Sequence, residues 1–239
     1  MLTARASLVA AMLACACAHA EDRARPQGSS RGDTREVSDF RGVSINSGMR
    51  AEVKVGPKSV RLEGDPETVS RVLVEVKDGI LEVRAERNSH FFSSGLRGKV
   101  RVYISSPKVT SLEANGGSSI TAEATSSSEF KVEATGGSEV DVRGVDTDEL
   151  KTEASGGSNM TVRGRATEMD AEASGGSEVH AREVRGISRL EAELSGGSSL
   201  EADAPKHVKG EASGGSTLSL TARPEHSKFE TSGGSRMTY

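Results

Sequence analysis

The sequence has little of what most ligand pockets and nucleic-acid surfaces need. It has no tryptophan, 2 tyrosines and 5 phenylalanines, so aromatic cages and base-stacking platforms are poorly supplied. Its 31 basic and 35 acidic residues give a net charge of −4 and form no basic block, which argues against a phosphate-binding surface. Nucleic acid is therefore not an expected partner.

Cysteine is confined to the N-terminal segment, where both copies lie inside a short apolar run that ends before Glu21. This run is too short to cross a bilayer, so residues 1–20 are predicted to be a secretory signal peptide that is cleaved after Ala20. The tetrapeptide Met12-Leu13-Ala14-Cys15 also resembles a bacterial lipobox. In that interpretation Cys15 is lipidated and becomes the mature N-terminus, and the residues leave both interpretations open.

The rest of the chain lacks long apolar runs. No later segment has 18 uninterrupted apolar residues, so a transmembrane helix is not expected. Residues 21–36 carry almost no apolar side chains and are predicted to form a flexible linker. The expected product is an exported protein of the cell envelope, which is an outer-membrane lipoprotein, a periplasmic protein or a secreted protein.

Internal repetition is the strongest feature that the sequence does have. Apolar and polar residues alternate with period two when the repeats are aligned on the first glycine of a recurring Gly-Gly-Ser triplet, which predicts strands. A repeat of about 20 residues with two short strands cannot bury its own apolar face, so successive copies are expected to stack. The seven triplets are spaced by 18 to 21 residues and begin at Gly116, Gly136, Gly156, Gly175, Gly196, Gly214 and Gly233.

We therefore predict an all-β, single-domain parallel β-solenoid over residues 37–239, with irregular rungs in 37–112 and regular rungs in 113–239. A column of alanines two residues before the glycine predicts a narrow interior, and the corner serines are expected to hydrogen-bond between rungs. An antiparallel β-meander would give the same period. It would need tight turns at both ends of each hairpin, and only one end shows a repeated turn signal.

Three local signals interrupt the regular pattern before residue 113. Asp78-Gly79 is a hairpin signal that opposes a purely parallel arrangement. Asp65-Pro66-Glu67 is typical of a short helical turn, and residues 88–98 are predicted to be a loop that leaves the rod.

The chain resembles a known family of bacterial envelope domains, the auto-transporter adhesin head domains called GIN domains. The resemblance rests on four segments, 37–45, 49–56, 78–83 and 100–104, and on the glycine-serine repeats that follow them. It covers nearly all of residues 37–239. It implies a parallel β-solenoid in the cell envelope and a role in adhesion.

A column of identical charges marks one face of the predicted solenoid, because glutamate stands three residues before the corner glycine in every repeat. Lysine stands two residues earlier in four repeats and alternates in sign with these glutamates. In two adjacent repeats it is replaced, so that Asp170, Glu172, Glu191 and Glu193 form a cluster with no basic residue in their columns. Such oxygen clusters bind hard cations such as calcium, and a solvated acidic patch is the other interpretation. The glutamates are Glu113, Glu133, Glu153, Glu172, Glu193, Glu211 and Glu230.

Motifs for catalysis are missing. His207 and His226 share a column and are expected to stack on adjacent rungs, but two metal ligands without a third make an incomplete site. There is no nucleophile motif, phosphate loop or calcium-binding nonapeptide. We therefore assign no catalytic or cofactor-binding residue and expect a protein that is not an enzyme.

These features lead to one expected function and two alternatives. The first is a non-catalytic adhesin, or matrix- or surface-interaction module, whose partner is a carbohydrate or protein of a cell surface or matrix. The second is a structural or assembly component of the bacterial envelope without an external ligand. The third is a carbohydrate-active β-helix enzyme. The oligomeric state does not follow from the sequence.

Overall fold

The computed structural model describes residues 32–86 and 100–239. The predicted signal peptide with Cys15, residues 21–31 of the predicted linker and the predicted loop 88–98 lie outside the described residues. The elements are β1 (Asp33–Thr34), β2 (Gly42–Ile45), β3 (Arg50–Val55), β4 (Ser59–Glu63), α1 (Pro66–Val69), β5 (Val72–Lys77), β6 (Ile80–Ala85), β7 (Arg101–Ser106), β8 (Ser111–Asn115), β9 (Ser119–Glu123), β10 (Ser127–Thr135), β11 (Glu139–Ser155), β12 (Asn159–Ala173), β13 (Glu178–Arg185), β14 (Arg189–Leu194), β15 (Ser199–Ala202), β16 (His207–Ala212), β17 (Thr217–Leu220), β18 (His226–Thr231) and β19 (Arg236–Thr238).

Parallel strands stack in two sheets, which confirms the predicted β-solenoid with about 20 residues per turn. Strands that lead into the corners form the entry sheet, in the order β6-β2-β8-β10-β11-β12-β14-β16-β18. Strands that leave the corners form the exit sheet, in the order β7-β3-β9-β11-β12-β13-β15-β17-β19. The long strands β11 and β12 bend and contribute to both sheets. The alternative antiparallel meander is wrong.

The inward columns of the two sheets form one apolar core. The alternation of buried and exposed residues is regular, so that Phe130, Val132 and Ala134 of β10 are buried and the residues between them face outward. The predicted alanine column is buried from Ala114 to Ala212, with Leu194 taking one place in it. In the last rung the pattern fails, because Thr231 and Tyr239 occupy core positions of the repeat and are exposed.

Each corner is a tight turn built from two glycines and a buried serine. At the corner of Gly156 and Gly157 the φ angles are 68° and 75°, a region that side chains with a Cβ rarely adopt. The Ser158 hydroxyl donates to the Ser155 carbonyl at 2.7 Å and accepts from the Ser138 amide at 3.3 Å. The predicted hydrogen bonding of the corner serines between rungs is confirmed.

The irregular N-terminal region contains rungs and also strands that are not rungs. Strands β4 and β5 run antiparallel to β7 and β6, so the prediction that the whole of 37–112 consists of rungs is wrong for these two strands. The reason lies in Asp78 and Gly79, whose φ angles of 52° and 78° make the two-residue turn that reverses the chain. Helix α1 confirms the predicted helical turn, with the Asp65 side chain accepting from the Glu67 and Thr68 amides.

Strand β1 extends the exit sheet beyond the predicted domain boundary. Asp33 and Thr34 pair antiparallel with Leu62 and Arg61 of β4. The Arg35 amide also donates to the Val60 carbonyl at 2.9 Å, so residues 33–35 of the predicted linker belong to the sheet edge.

A rung without the Gly-Gly-Ser triplet lies inside the stack. Strands β2 and β3 form it, and it is inserted between the rung of β6 and β7 and the rung of β8 and β9. Its corner is Ser47-Gly48, with φ angles of 65° and 73°, and Met49 is buried where the other corners have serine. The chain passes this rung at the end of β7 and after it, where the Ser106 hydroxyl donates to the Phe40 carbonyl at 3.0 Å and the Thr110 amide donates to the Arg41 carbonyl at 2.8 Å.

Candidate interaction surface

The outer face of the entry sheet carries the glutamate column. The strand register places each glutamate directly beside the glutamate of the next rung, as in the pairs Glu133 with Glu153 and Glu193 with Glu211. Neighbouring parallel strands lie about 4.8 Å apart, so these like charges repel one another unless other groups compensate them. The stacking predicted from the repeat is confirmed.

One lysine of the same face compensates two glutamates of the column. Lys131 forms ion pairs with Glu133 in its own rung and with Glu153 in the next rung, the second at 3.1 Å. The hydrogen bond from Lys131 to Glu133 raises the pKa of the lysine. Lys151 pairs instead with Glu129 at 2.9 Å and with Glu149 at 3.4 Å, which lie outside the glutamate column. The lysine column therefore neutralises the glutamate column only locally.

The predicted acidic cluster is brought together, with one correction. The register pairs Asp170 with Glu191 and Glu172 with Glu193 across two adjacent rungs. Lys209 of the following rung forms an ion pair with Glu191 at 2.7 Å between Nζ and Oε1, so a basic residue does reach the cluster. The sequence comparison of the two rungs that carry the cluster did not reveal this ion pair, because Lys209 belongs to a third rung.

Two carboxyl groups of the cluster, Asp170 and Glu172, have a raised pKa. Burial raises the pKa of Asp170, and the neighbouring Glu191 carboxylate raises it further. Burial also raises the pKa of Glu172, assisted by Glu153 and Glu193. Within residues 32–86 and 100–239, no group of three or more His, Cys, Asp or Glu side chains has the geometry of a metal site. Calcium binding by the four carboxylates stays a prediction.

The histidines are placed as their columns indicate. The rings of His207 and His226 stack on adjacent rungs with centroids 4.8 Å apart and planes inclined by 12°. His180 lies on the exit sheet, with Nδ1 at 3.3 Å from an oxygen of Glu201.

The exit sheet carries compensated charges over most of its length. Arg143 pairs with Glu123 at 2.6 Å, and Arg182 pairs with Glu201 at 3.1 Å. At the N-terminal end of this sheet the surface is concave. A shallow depression of about 580 Å³ runs over the corner glycines of three rungs and over Arg50, Ser119 and Glu139, among others.

This depression was not predicted from the sequence. Its floor comes from the inserted rung of β2 and β3 and from the two rungs that follow it in the stack. The residues of these two rungs lie about 70 and 90 positions after those of the inserted rung in the chain. The one available signal was Ser47-Gly48 followed by alternating apolar residues, which marks a corner without the triplet.

Comparison with known families identifies the family of the chain. A family model described as "Putative auto-transporter adhesin, head GIN domain" matches residues 39–224. The chain belongs to this GIN-domain family. The resemblance predicted from the strand and corner segments is confirmed.

Solved structures share the fold of this GIN domain. An adhesin-like protein from Bacteroides fragilis has a TM-score of 0.77 at 15% identity, over 87% of this chain and 95% of that chain. A protein from Parabacteroides distasonis named as a putative lipid binding protein has a TM-score of 0.68 at 14% identity, over 88% and 97%. An adhesin-like protein from Parabacteroides merdae has a TM-score of 0.65 at 17% identity, over 87% and 94%.

At these identities the similarity shows the fold alone. No curated protein sequence matches the chain. Among the residues that the structure covers, no helix is long and apolar enough to span a membrane.

Proposed function

We propose that this GIN domain is a non-catalytic module of the bacterial cell envelope, and that its entry sheet binds a surface or matrix component through many weak contacts. The observation that supports the proposal is the register of the glutamate column, which repeats one chemical group from rung to rung. A regular array of this kind favours a partner that is itself repetitive, because linked weak contacts add up to a high avidity.

The entry sheet is also suited to a polar partner. Its outward residues are mostly charged or polar, and across the described ranges only Val55 and Tyr239 are large exposed hydrophobic residues. Neither residue belongs to the glutamate or lysine columns of the entry sheet. A carbohydrate or a polar protein surface fits this composition better than an apolar partner does.

The address of the protein is part of the proposal. A signal peptide over residues 1–20, with either cleavage after Ala20 or lipidation of Cys15, would export the domain, and the linker would hold it away from the membrane. Mass spectrometry of the N-terminus of the native protein distinguishes the two routes. A lipid-modified Cys15 identifies an anchored head, and a free Glu21 identifies a soluble rod.

Adhesion is tested on intact cells that express the full chain. The variant Glu193→Gln with Glu211→Gln removes two charges from the entry sheet, and Glu178→Gln with Glu183→Gln removes two from the exit sheet, away from the depression around Arg50. We expect the first variant to weaken attachment to the bound matrix and the second to leave it unchanged. Equal attachment by both variants contradicts the role of the entry sheet.

Protease shaving of the same cells tests the structural alternative. Release of the domain from intact cells supports an exposed adhesin. Complete protection, with release only after the outer membrane is opened, supports an internal component of the envelope and contradicts the adhesin.

A further inference from the structure

Two arginines at the N-terminal end of the exit sheet stand side by side. Arg50 of β3 pairs in register with Arg101 of β7, and both side chains are exposed. Strands in such a sheet are about 4.8 Å apart, so the two guanidinium groups extend from neighbouring points on one face. Like charges in this position are destabilising.

The charges around the two arginines do not compensate them. Glu52 lies next to Arg50 along β3 and forms an ion pair with Lys54 at 2.7 Å. Glu63 lies beside Arg101 in register on β4 and forms an ion pair with Arg61 instead. These two carboxylates are thus taken by other cations, while Glu139, which lines the same depression as Arg50, lies two strands away from it in register. Within the part of the chain that the structure describes, neither Arg50 nor Arg101 has a carboxylate within 4 Å.

Most arginines of the exit sheet have a partner. Arg143, Arg163, Arg182 and Arg185 each form an ion pair with a carboxylate on the same face. Within the described ranges Arg165 and Arg236 form none, but their neighbours in register are the ion-paired Arg185 and the uncharged Thr217. Arg50 and Arg101 differ from these because two arginines without an ion pair lie side by side.

The pair also lies in a concave part of the surface with polar neighbours. Arg50 contributes both to the depression of about 580 Å³ and to a second one of about 280 Å³ that includes Arg101 and Tyr103. Thr121 belongs to both, and Ser119 lies beside Arg50 in register. Both depressions are shallow and open to solvent, so a ligand bound here would keep part of its surface exposed.

One aromatic ring lies in the smaller depression. Tyr103 is half-buried, and the Arg61 guanidinium covers its ring with Cζ at 4.4 Å from the centroid. This cation–π contact and the ion pair to Glu63 hold Arg61 in place, so the free charge belongs to Arg50 and Arg101.

We infer that Arg50 and Arg101 form a binding site for an acidic saccharide, in which the two guanidinium groups hold a carboxylate or sulfate group of the sugar. Guanidinium groups bind such anions through two parallel hydrogen bonds. The hydroxyls of Ser119 and Thr121 are placed to hydrogen-bond the hydroxyls of the ring. This site lies on the exit sheet and does not depend on the contacts proposed for the entry sheet.

A saccharide fits this site better than a membrane or a protein anchor. Insertion into lipid and binding hot spots both need exposed apolar or aromatic side chains. The only large hydrophobic residues exposed in the described ranges are Val55 and Tyr239, and neither lines the two depressions. The lining is shallow, and its charged residues are the two arginines, Glu52 and Glu139.

The test is binding of the full chain to three immobilised polysaccharides, polygalacturonate, dextran sulfate and neutral dextran, with vesicles of phosphatidylglycerol as a separate arm. We expect binding to at least one of the two acidic polymers, none to neutral dextran, and weakening at high salt. Arg50→Gln with Arg101→Gln should reduce the affinity about tenfold or more, because charge-assisted hydrogen bonds are lost. Arg50→Lys keeps the charge without the planar fork and should give a smaller loss.

The matched control is Arg143→Gln with Arg182→Gln, which removes the same charge from ion-paired positions on the same sheet. An affinity within about twofold of the parent protein is expected for it, since a screened surface charge acts weakly at a distance. An equal loss in both double variants would show only a general charge effect and would overturn the site. Failure of the parent protein to bind either acidic polymer, or binding to the vesicles alone, overturns it as well.

Discussion

Ser47 and Gly116 have the same backbone conformation at the corners of two adjacent rungs, with a φ angle of 65° at each. A Cβ on the first glycine of a corner points at the backbone of the preceding corner, at 3.4 Å for Gly136 and 2.9 Å for Gly196. For Gly116 the preceding corner is that of Ser47, and the distance is 3.8 Å to the Ser47 amide nitrogen. The Ser47 hydroxyl accepts from the amide of Ala85, the last residue of β6, at 3.3 Å. The corners are therefore less tightly stacked at the serine corner than between two glycine corners.

The two glycines of one corner should respond differently to alanine. Both Gly196 and Gly197 have φ angles that disfavour a side chain, which costs about 1 to 2 kcal/mol at either position. A Cβ at Gly196 would also lie 2.9 Å from the Gly175 amide nitrogen, whereas a Cβ at Gly197 has its nearest contact at 4.0 Å. We expect Gly196→Ala to lower the free energy of unfolding by about 3 kcal/mol and Gly197→Ala by about 1 kcal/mol, as measured by urea unfolding. Equal losses would contradict the stacking of corners.

The buried corner serine should contribute more to stability than an outward serine of the same rung. Ser158→Ala leaves the Ser155 carbonyl and the Ser138 amide without their partner, which costs about 1 to 3 kcal/mol. Ser155→Ala is the control, because that side chain faces outward. Its free energy of unfolding, measured in urea, should stay within about 0.5 kcal/mol of that of the parent protein, which is the usual range for surface positions. A neutral result for Ser158→Ala would mean that water replaces the hydroxyl.

Removing charge from the acidic cluster should stabilise the protein at neutral pH. The pKa of Glu172 is raised in the folded state, so its ionised form opposes folding above that pKa. As the pH falls through the raised pKa, the carboxyl is protonated and the penalty disappears. Glu172→Gln should therefore raise Tm by about 1 to 2 °C at pH 7 and have no effect near pH 4. The control Glu133→Gln breaks an ion pair with Lys131 and should not raise Tm.

If the cluster binds calcium, its carboxylates stabilise the protein in the presence of the ion, and removing them lowers Tm. Where the ion binds, a chelator lowers Tm, and the double variant Glu172→Gln with Glu191→Gln abolishes the difference. Differential scanning calorimetry in buffer with calcium and with EDTA measures both effects. Identical Tm values for the parent protein in the two buffers would leave the cluster as a solvated acidic patch.

Whole rungs should be removable, while half rungs should not. Deletion of residues 137–156 joins Gly136 to Gly157 and restores a complete corner with the same register. Because each rung contacts only its neighbours, we expect a folded, shorter solenoid with an unchanged strand signal in circular dichroism and a slightly lower Tm. Deletion of 137–146 removes the outgoing strand only and should abolish cooperative unfolding. A folded half-rung variant would contradict the stack.

The regular part of the fold was predictable because each position repeats. Gly196 occurs in a column of seven glycines, and Leu190 in a column that is apolar in five of the seven repeats, so several copies report the same environment. The N-terminal part has no such redundancy. The order in which β2, β6 and β8 stack depends on contacts between segments far apart in the chain, and no local pattern records it.

The same distinction separates the two surfaces. The cluster around Asp170 and Glu191 was visible because both residues lie at the same offset from a triplet. The pairing of Glu191 with Lys209 was missed because a rung was compared with only one neighbour. The sequence did not predict that Arg50 and Arg101 are neighbours. They lie in different segments without triplets, and only the inserted rung places them side by side.

The stacking of parallel strands also determines how the molecule responds to mechanical load. The hydrogen bonds of both sheets run along the axis of the stack, so a pull along that axis acts on the bonds of one rung at a time. Each detached turn of about 20 residues would release roughly 65 to 70 Å of extended chain. The domain would then lengthen in regular steps under tension, and each step would dissipate part of the mechanical work.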